Sequence, residues 1–205
     1  MEKILIATGN PAKLAELKKG LQPLAEKGIV LLSLKDLGIT DEPEETGMTF
    51  RDNSLLKAKY YSQKSGLPVI ADDGGFVIPS LNNEPGVKSN RWLGRIATDE
   101  ELIDYTLKRL TNMTGDDRLA YLETCVCFYD PQTKESICIQ ERIGGRIADT
   151  PSKRRITGYP YRSLFIVSEF GKYYDELSHA EHEKVNHRLK AVHKLMEKMP
   201  RHLVK

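Results

Sequence analysis

Lys3 to Thr8 form a short apolar run that stops at Gly9-Asn10-Pro11 and passes directly into a helical pattern. No other stretch constrains the fold as much. Asn10 suits a helix N-cap, and Pro11 suits the first helical position, where a missing N–H costs nothing. Leu14, Leu17, Leu21 and Leu24 follow at helical spacing, and Ile29 to Leu34 reads as a second strand. Strand, helix, strand is the start of an α/β chain.

The alternation continues. Spacing predicts a helix from about Thr49 to Ser65, with Gly66 as its C-terminal stop. Pro68 to Ala71 is a short apolar strand running into Asp72-Asp73-Gly74-Gly75, with strand resuming over Phe76 to Pro79. Thr98-Asp99-Glu100-Glu101 opens another helix, with Leu102, Tyr105 and Leu110 on its buried face. Leu119 to Tyr129 and Glu135 to Ile143 pair around the turn Asp130 to Lys134. A last helix carries Val185, Leu189, Val192, Met196 and Met199 on one stripe, and Ser178 with Glu181 makes a capping box. The expected fold is α/β with a mixed sheet. No repeat and no linker divides the chain, so residues 1–205 read as a single domain.

Charge excludes some functions. Against 31 Lys+Arg stand 29 Asp+Glu, a balance of +2, which argues against a dedicated nucleic-acid binder. No apolar run approaches the roughly 20 residues of a membrane-spanning helix, so no membrane partner is expected. Met1 to Ala7 reads as a first strand rather than a secretory leader. Cys125, Cys127 and Cys138 are odd in number and lack zinc spacing, which favours free core thiols in a reducing, cytoplasmic setting.

Three stretches carry the residues for chemistry. In Thr8-Gly9-Asn10-Pro11-Ala12-Lys13 the free N–H groups of a helix start, with Lys13 in the first turn, suit phosphate oxygens; the plain alternative is a capped helix with a solvated lysine. Glu44-Glu45-Thr46-Gly47 precedes a helix on which Asn53 and Lys57 share one face, suited to a polyanion, or simply an acidic turn before an exposed face. Asp72-Asp73 follow an apolar strand and precede two glycines. At a strand end such carboxylates reach the rim of a sheet and suit Mg²⁺; otherwise they stabilise a turn. His182 and His187 are five apart, which does not fit a His-Glu-x-x-His zinc site.

Thr8-Gly9-Asn10-x-x-Lys13, Glu44-Glu45-Thr46-Gly47-x-Thr49-Phe50-x-x-Asn53, Lys57-Ala58, Ala71-Asp72-Asp73-x-Gly75 and Pro85-Gly86-Val87-x-Ser89 occur in an order that resembles the inosine triphosphate pyrophosphatase family. These are the XTP/dITP diphosphatases, house-cleaning enzymes for non-standard purine nucleotides. The resemblance spans nearly the whole chain and closes with Asn186-His187-Arg188, where the family usually has Ser-His-Arg. It implies an elongated mixed sheet flanked by helices, two lobes with a central cleft, and a homodimer. It also implies Mg²⁺-dependent hydrolysis of a nucleoside triphosphate to monophosphate and pyrophosphate, with Mn²⁺ as a substitute ion. By position Asp73 matches the carboxylate that activates water and helps hold metal, and Glu44 matches a second metal ligand. Thr8, Gly9, Asn10, Lys13, Asn53, Lys57, Gly74, Lys172 and Arg188 match substrate contacts, and His187-Arg188 lie beside the base.

The chain also departs from the family. A base loop usually written Gly-Phe-Gly-Tyr-Asp-Pro-x-Phe is here Gly158-Tyr159-Pro160-Tyr161-Arg162-Ser163-Leu164-Phe165. Tyr159, Tyr161 and Phe165 keep aromatic positions for stacking a base. Arg162 reverses a charge, Gly74 stands for a Ser, and the lysine expected before the His-Arg pair falls on His182, with Lys172 and Lys184 nearby. One expectation is that Arg162 donates to O6 and N7 of a 6-oxopurine. Two alternatives are a pyrophosphatase with shifted base preference and a catalytically weak nucleotide-binding protein.

Overall fold

Asn10 caps the start of the first helix as its position requires: its Oδ1 accepts the N–H of Ala12 at 2.9 Å and of Lys13 at 3.2 Å. The computed structural model describes residues 1–200. Its strands are β1 (Lys3–Ala7), β2 (Val30–Ser33), β3 (Val69–Ile78), β4 (Glu84–Pro85), β5 (Leu119–Tyr129), β6 (Ser136–Ile147), β7 (Phe165–Val167) and β8 (Lys172–Tyr173). Its α-helices are α1 (Pro11–Gly20), α2 (Gln22–Glu26), α3 (Phe50–Ser65), α4 (Asp99–Arg109), α5 (His179–Val185) and α6 (His187–Lys198). The sheet runs β2-β1-β3-β5-β6-β7-β8, with β4 paired to β3. β1 is parallel to both β2 and β3, whereas β7 is antiparallel to β6 and β8, so the sheet is mixed.

Helix ends follow local chemistry. Thr49 Oγ1 accepts the Asp52 N–H at 3.1 Å to start α3, and Gly66 ends it with φ 69°. Capping boxes at Thr98/Glu101 and Ser178/Glu181 open α4 and α5. Such N-caps contribute about 1 kcal/mol each.

The chain forms two compact units: residues 1–74, 124–141 and from 187 onward, and residues 75–123 with 142–186. In the first, alternate residues of β1 serve opposite faces. Ile4 and Ile6 pack with Leu17, Leu21 and Leu24 and with Ala191, Val192 and Leu195. Leu5 and Ala7 pack with Val69 and Ala71 against Ala58 and Tyr61 of α3. Coverage of both faces explains the unbroken apolar run of β1. In the second unit Phe76, Ile78, Ile143, Phe165 and Val167 form one core with Leu102 and Ile103 of α4, Tyr161 and Tyr174.

Four sequence expectations are corrected. Asp72-Asp73-Gly74-Gly75 is not a turn at a strand end but lies inside β3, which runs without a break from Val69 to Ile78. The rim is supplied instead by β1, whose last pair is Ala7 with Ala71, so Asp72 emerges where its neighbour ends. Gly75 is required there, because a Cβ would lie 2.2 Å from Ser89 Oγ and 2.7 Å from the Gly86 carbonyl oxygen. The first helical stripe is split into α1 and α2 at Leu21, although Leu17, Leu21 and Leu24 remain buried together. The last helix is likewise two helices, because Asn186 leaves helical geometry with ψ 103°; Val185 then serves the second unit's core and Val192 the first.

The cysteines differ most. Cys127 and Cys138 form a disulfide with their Cα atoms 4.1 Å apart, and Cys125, buried beside them, is not part of the disulfide. The β5–β6 hairpin, closed by the Asp130 N–H on the Glu135 carbonyl at 3.1 Å, brings the two together, which chain spacing does not reveal. The cysteine argument for a reducing compartment falls with it. Among the described residues no helix is long and apolar enough to cross a membrane.

Candidate active site

Asp73 is the residue on which the first unit converges. Its Oδ2 accepts the Asn53 amide N–H at 3.1 Å, its Oδ1 accepts the Gly74 N–H at 2.9 Å, and Lys57 Nζ stands 3.7 Å from Oδ1. Asn53 and Lys57 reach it together because they are one turn apart on α3. The strand is held in place from both sides: Ser54 Oγ donates to the Ala71 carbonyl at 2.9 Å and Thr124 Oγ1 to the Asp73 carbonyl at 3.1 Å. Asn53 Oδ1 also accepts the Gly47 N–H at 2.7 Å, tying the acidic loop to the same helix.

Asp72 gathers the other cations. Arg188 Nε donates to its Oδ2 at 3.0 Å and Lys13 Nζ lies 3.4 Å from the same oxygen. Arg188 Nη1 meets Glu16 of α1 as well. Residues from α1, β3 and α6 therefore form one buried ionic cluster.

The two adjacent carboxylates titrate in opposite directions. Burial pushes Asp73 up, and Lys57 and Lys13 only partly oppose it. Burial also pushes on Asp72, but Lys13, Arg188 and Lys57 outweigh it and hold this carboxyl well below the usual range. Lys57 is pulled down by burial and pushed further up by Asp73, Asp72 and Glu45, so it is a firmly held cation. One carboxylate is thus fixed as a charge, while its neighbour is the more basic.

The turn from Thr8 to Lys13 lies in the same unit. Thr8 Oγ1 accepts the Asn10 N–H at 3.3 Å, and a cavity of about 520 Å³ is lined by Thr8, Gly9, Pro11, Ser33, Gly38 and Glu42 among others. Of the acidic pair, Glu45 is the member that meets Lys57, at 2.9 Å, whereas Glu44 is exposed. His187 and Arg188 are buried at the start of α6.

The residues expected for the base lie in the second unit. Tyr161 and Phe165 are core residues: Tyr161 stacks on Phe76 with centroids 4.8 Å apart, and its hydroxyl donates to the Ser89 carbonyl at 2.6 Å. Tyr159 is only half-buried. Arg162 is 4% exposed, and its guanidinium lies 3.4 Å from the Tyr159 ring centroid and 4.7 Å from that of Tyr174. Lys172 is at the surface, paired with Glu181 at 2.6 Å.

The Ham1 family profile matches residues 4–198. The chain belongs to the Ham1 family. It is 38% identical over 198 residues to the dITP/XTP pyrophosphatase of Haemophilus influenzae, covering 97% of this chain and 99% of that one. It is 40% identical over 196 residues to the dITP/XTP pyrophosphatase of Thermus thermophilus, covering 95% and 90%. Among solved structures, a HAM1 protein from Coxiella burnetii superposes with a TM-score of 0.84 at 28% identity, covering 97% of this chain and all of that one. A dITP/XTP pyrophosphatase from Mycobacterium abscessus gives 0.77 at 34% identity, covering 94% and 98%.

Within this Ham1 chain, sequence reasoning missed Glu16 and Asp175, and it named Asp72 and Glu45 within candidate stretches without giving either a role of its own. Asp72 was visible as the twin of Asp73, but nothing in the string says which twin holds cations. Glu16 sits three residues after Lys13 on α1, a spacing that does place it on the same face.

Proposed function

We propose that this chain is a nucleoside triphosphate pyrophosphohydrolase acting on non-standard purine nucleotides (ITP, dITP and XTP), releasing the nucleoside monophosphate and pyrophosphate. The observation that carries the reading is the interleaving of charge around Asp72 and Asp73: one carboxylate orients Lys13 and Arg188, and the other is held by Asn53 and Lys57. The activity printed for the Haemophilus and Thermus relatives supports it.

The oxygen chemistry of two acids in this unit suits a hard divalent cation. Asp73 and Glu44 offer carboxylate oxygens, which suit Mg²⁺, with Mn²⁺ as a substitute. Held there, the ion would neutralise developing phosphate charge. The chain's own groups do the rest. Lys13, Lys57 and Arg188 bind triphosphate oxygens, aided by the N–H groups that open α1. Asp73, made more basic by burial, takes a proton from the water that attacks the α-phosphorus. The α–β bridging bond breaks, and pyrophosphate leaves with the bridging oxygen. Asn53 fixes the carboxylate's orientation through its 3.1 Å bond. A homodimer in the cytoplasm is part of the same reading, and light scattering tests the dimer.

The deciding experiment measures pyrophosphate release from ITP, dITP, XTP, GTP and ATP with Mg²⁺, for the native chain and Asp73→Asn. The expected result is release from the first three in preference to ATP, and loss of about a thousandfold in the variant. Nucleotide binding without release by the native chain would overturn the reading in favour of a binding protein.

A further inference from the structure

Arg162 is set in the second unit as a filling between two rings. Its guanidinium lies 3.4 Å from the Tyr159 centroid and 4.7 Å from the Tyr174 centroid. Arg162, Tyr174 and Asp175 are all at most 5% exposed, while Tyr159 keeps part of its surface open. Asp175 follows Tyr174 directly and lies within the electrostatic reach of Arg162. A guanidinium suits this place because it is planar, permanently charged and weakly hydrated, and an ammonium has no plane to stack.

The same geometry opposes a role in reading the base. For Arg162 to present its donors to O6 and N7, it would have to leave both rings. Giving up two stacked cation–ring contacts opposes such a movement.

We propose that Arg162 is a positioning residue: stacked between Tyr174 and Tyr159, it holds the Tyr159 ring as a fixed plate on which the purine stacks. Base discrimination then does not depend on the charge at position 162. The inference rests on the proposed nucleotide function and narrows how its base site is built. Stacking tolerates any purine, since every base has a π face. Arg162 therefore sets affinity for purines as a class, and selectivity among them is decided elsewhere.

The test compares the native chain with Arg162→Ala and Arg162→Lys, using steady-state turnover of ITP, XTP, GTP and ATP and calorimetric titration with inosine monophosphate. Thermal melts confirm that each variant is folded. For Arg162→Ala the expected result is a rise in KM of about tenfold for every purine, with kcat within about twofold and the ITP-to-ATP preference unchanged. Lysine should recover little of the loss. Inosine monophosphate should bind about tenfold more weakly to the alanine variant, a readout that does not require turnover. A collapse of the ITP-to-ATP preference would overturn the proposal, because Arg162 would then be reading the base. So would unchanged KM and unchanged monophosphate binding. If no triphosphate is hydrolysed but monophosphate binding weakens as expected, the pyrophosphatase reading fails and the clamp stands.

Discussion

Arg188 and Asp72, 116 residues apart in the chain, meet at 3.0 Å with side chains 4% and 0% exposed. Lys13 shares the same carboxylate oxygen. A single buried acid therefore aims two of the three cations assigned to the triphosphate.

Asp72→Asn should be costly on both counts. Removing one partner of a buried ionic cluster leaves cations without compensation, at about 3–5 kcal/mol. Urea melts should show a loss of that order, and KM for ITP should rise because Lys13 and Arg188 are no longer aimed. If stability and KM both stay within error of the native chain, Asp72 is not the organiser described above.

Lys57→Met keeps the aliphatic stem and removes the charge. Lys57 is the largest influence opposing the burial that raises Asp73, so its loss should raise Asp73 further. The acid limb of the pH profile of kcat/KM should then move to higher pH, with a fall of about a hundredfold at its plateau. A limb that stays in place would mean that Asp73 is not the group titrating.

Asp175 gives a prediction of opposite sign for stability. Burial pushes it up to about 6 from 3.8, against Arg162 and Arg154, with Glu176 adding to the rise. A carboxyl that holds its proton more tightly when folded makes the fold more stable as pH falls from above 6 towards 4. Its ionised form costs up to about 3 kcal/mol at pH 8. Asp175→Asn should therefore stabilise the chain at pH 8 and not at pH 4, while weakening inosine monophosphate binding by loosening Arg162. Equal effects at the two pH values in urea melts would sink this account.

The disulfide is checked by counting thiols. The denatured, unreduced protein should titrate one thiol, Cys125, and the reduced protein three. Closing the hairpin between Cys127 and Cys138 should contribute about 3 kcal/mol, read as the difference in stability with and without a dithiol. Three reactive thiols before reduction would restore the reducing-compartment argument.

What was legible in the string was local. Asn10, Thr49, Thr98 and Ser178 each announce a helix start, and each caps one through its side chain. The one-turn spacing of Asn53 and Lys57 correctly put both on a single face, and they meet on Asp73. What was not legible depended on which strands become neighbours. The string shows two aspartates before two glycines, and nothing in it says that β1 stops at Ala7, opposite Ala71, or that Ser89 leaves no room at Gly75. Cys127 and Cys138, and Arg162 and Asp175, are likewise brought together by pairing and packing rather than by spacing. The helix break at Asn186 escaped because asparagine is only a mild helix breaker and the apolar stripe continues across it.

The sharing of Asp72 by Lys13 and Arg188 also bears on synthesis. Translation delivers Lys13 first, then Asp72, and Arg188 last of the three. A chain that stops short of α6 lacks the guanidinium that completes the cluster, and on the proposed function it should bind nucleotide more weakly. Adding α6 back in trans as a peptide tests this.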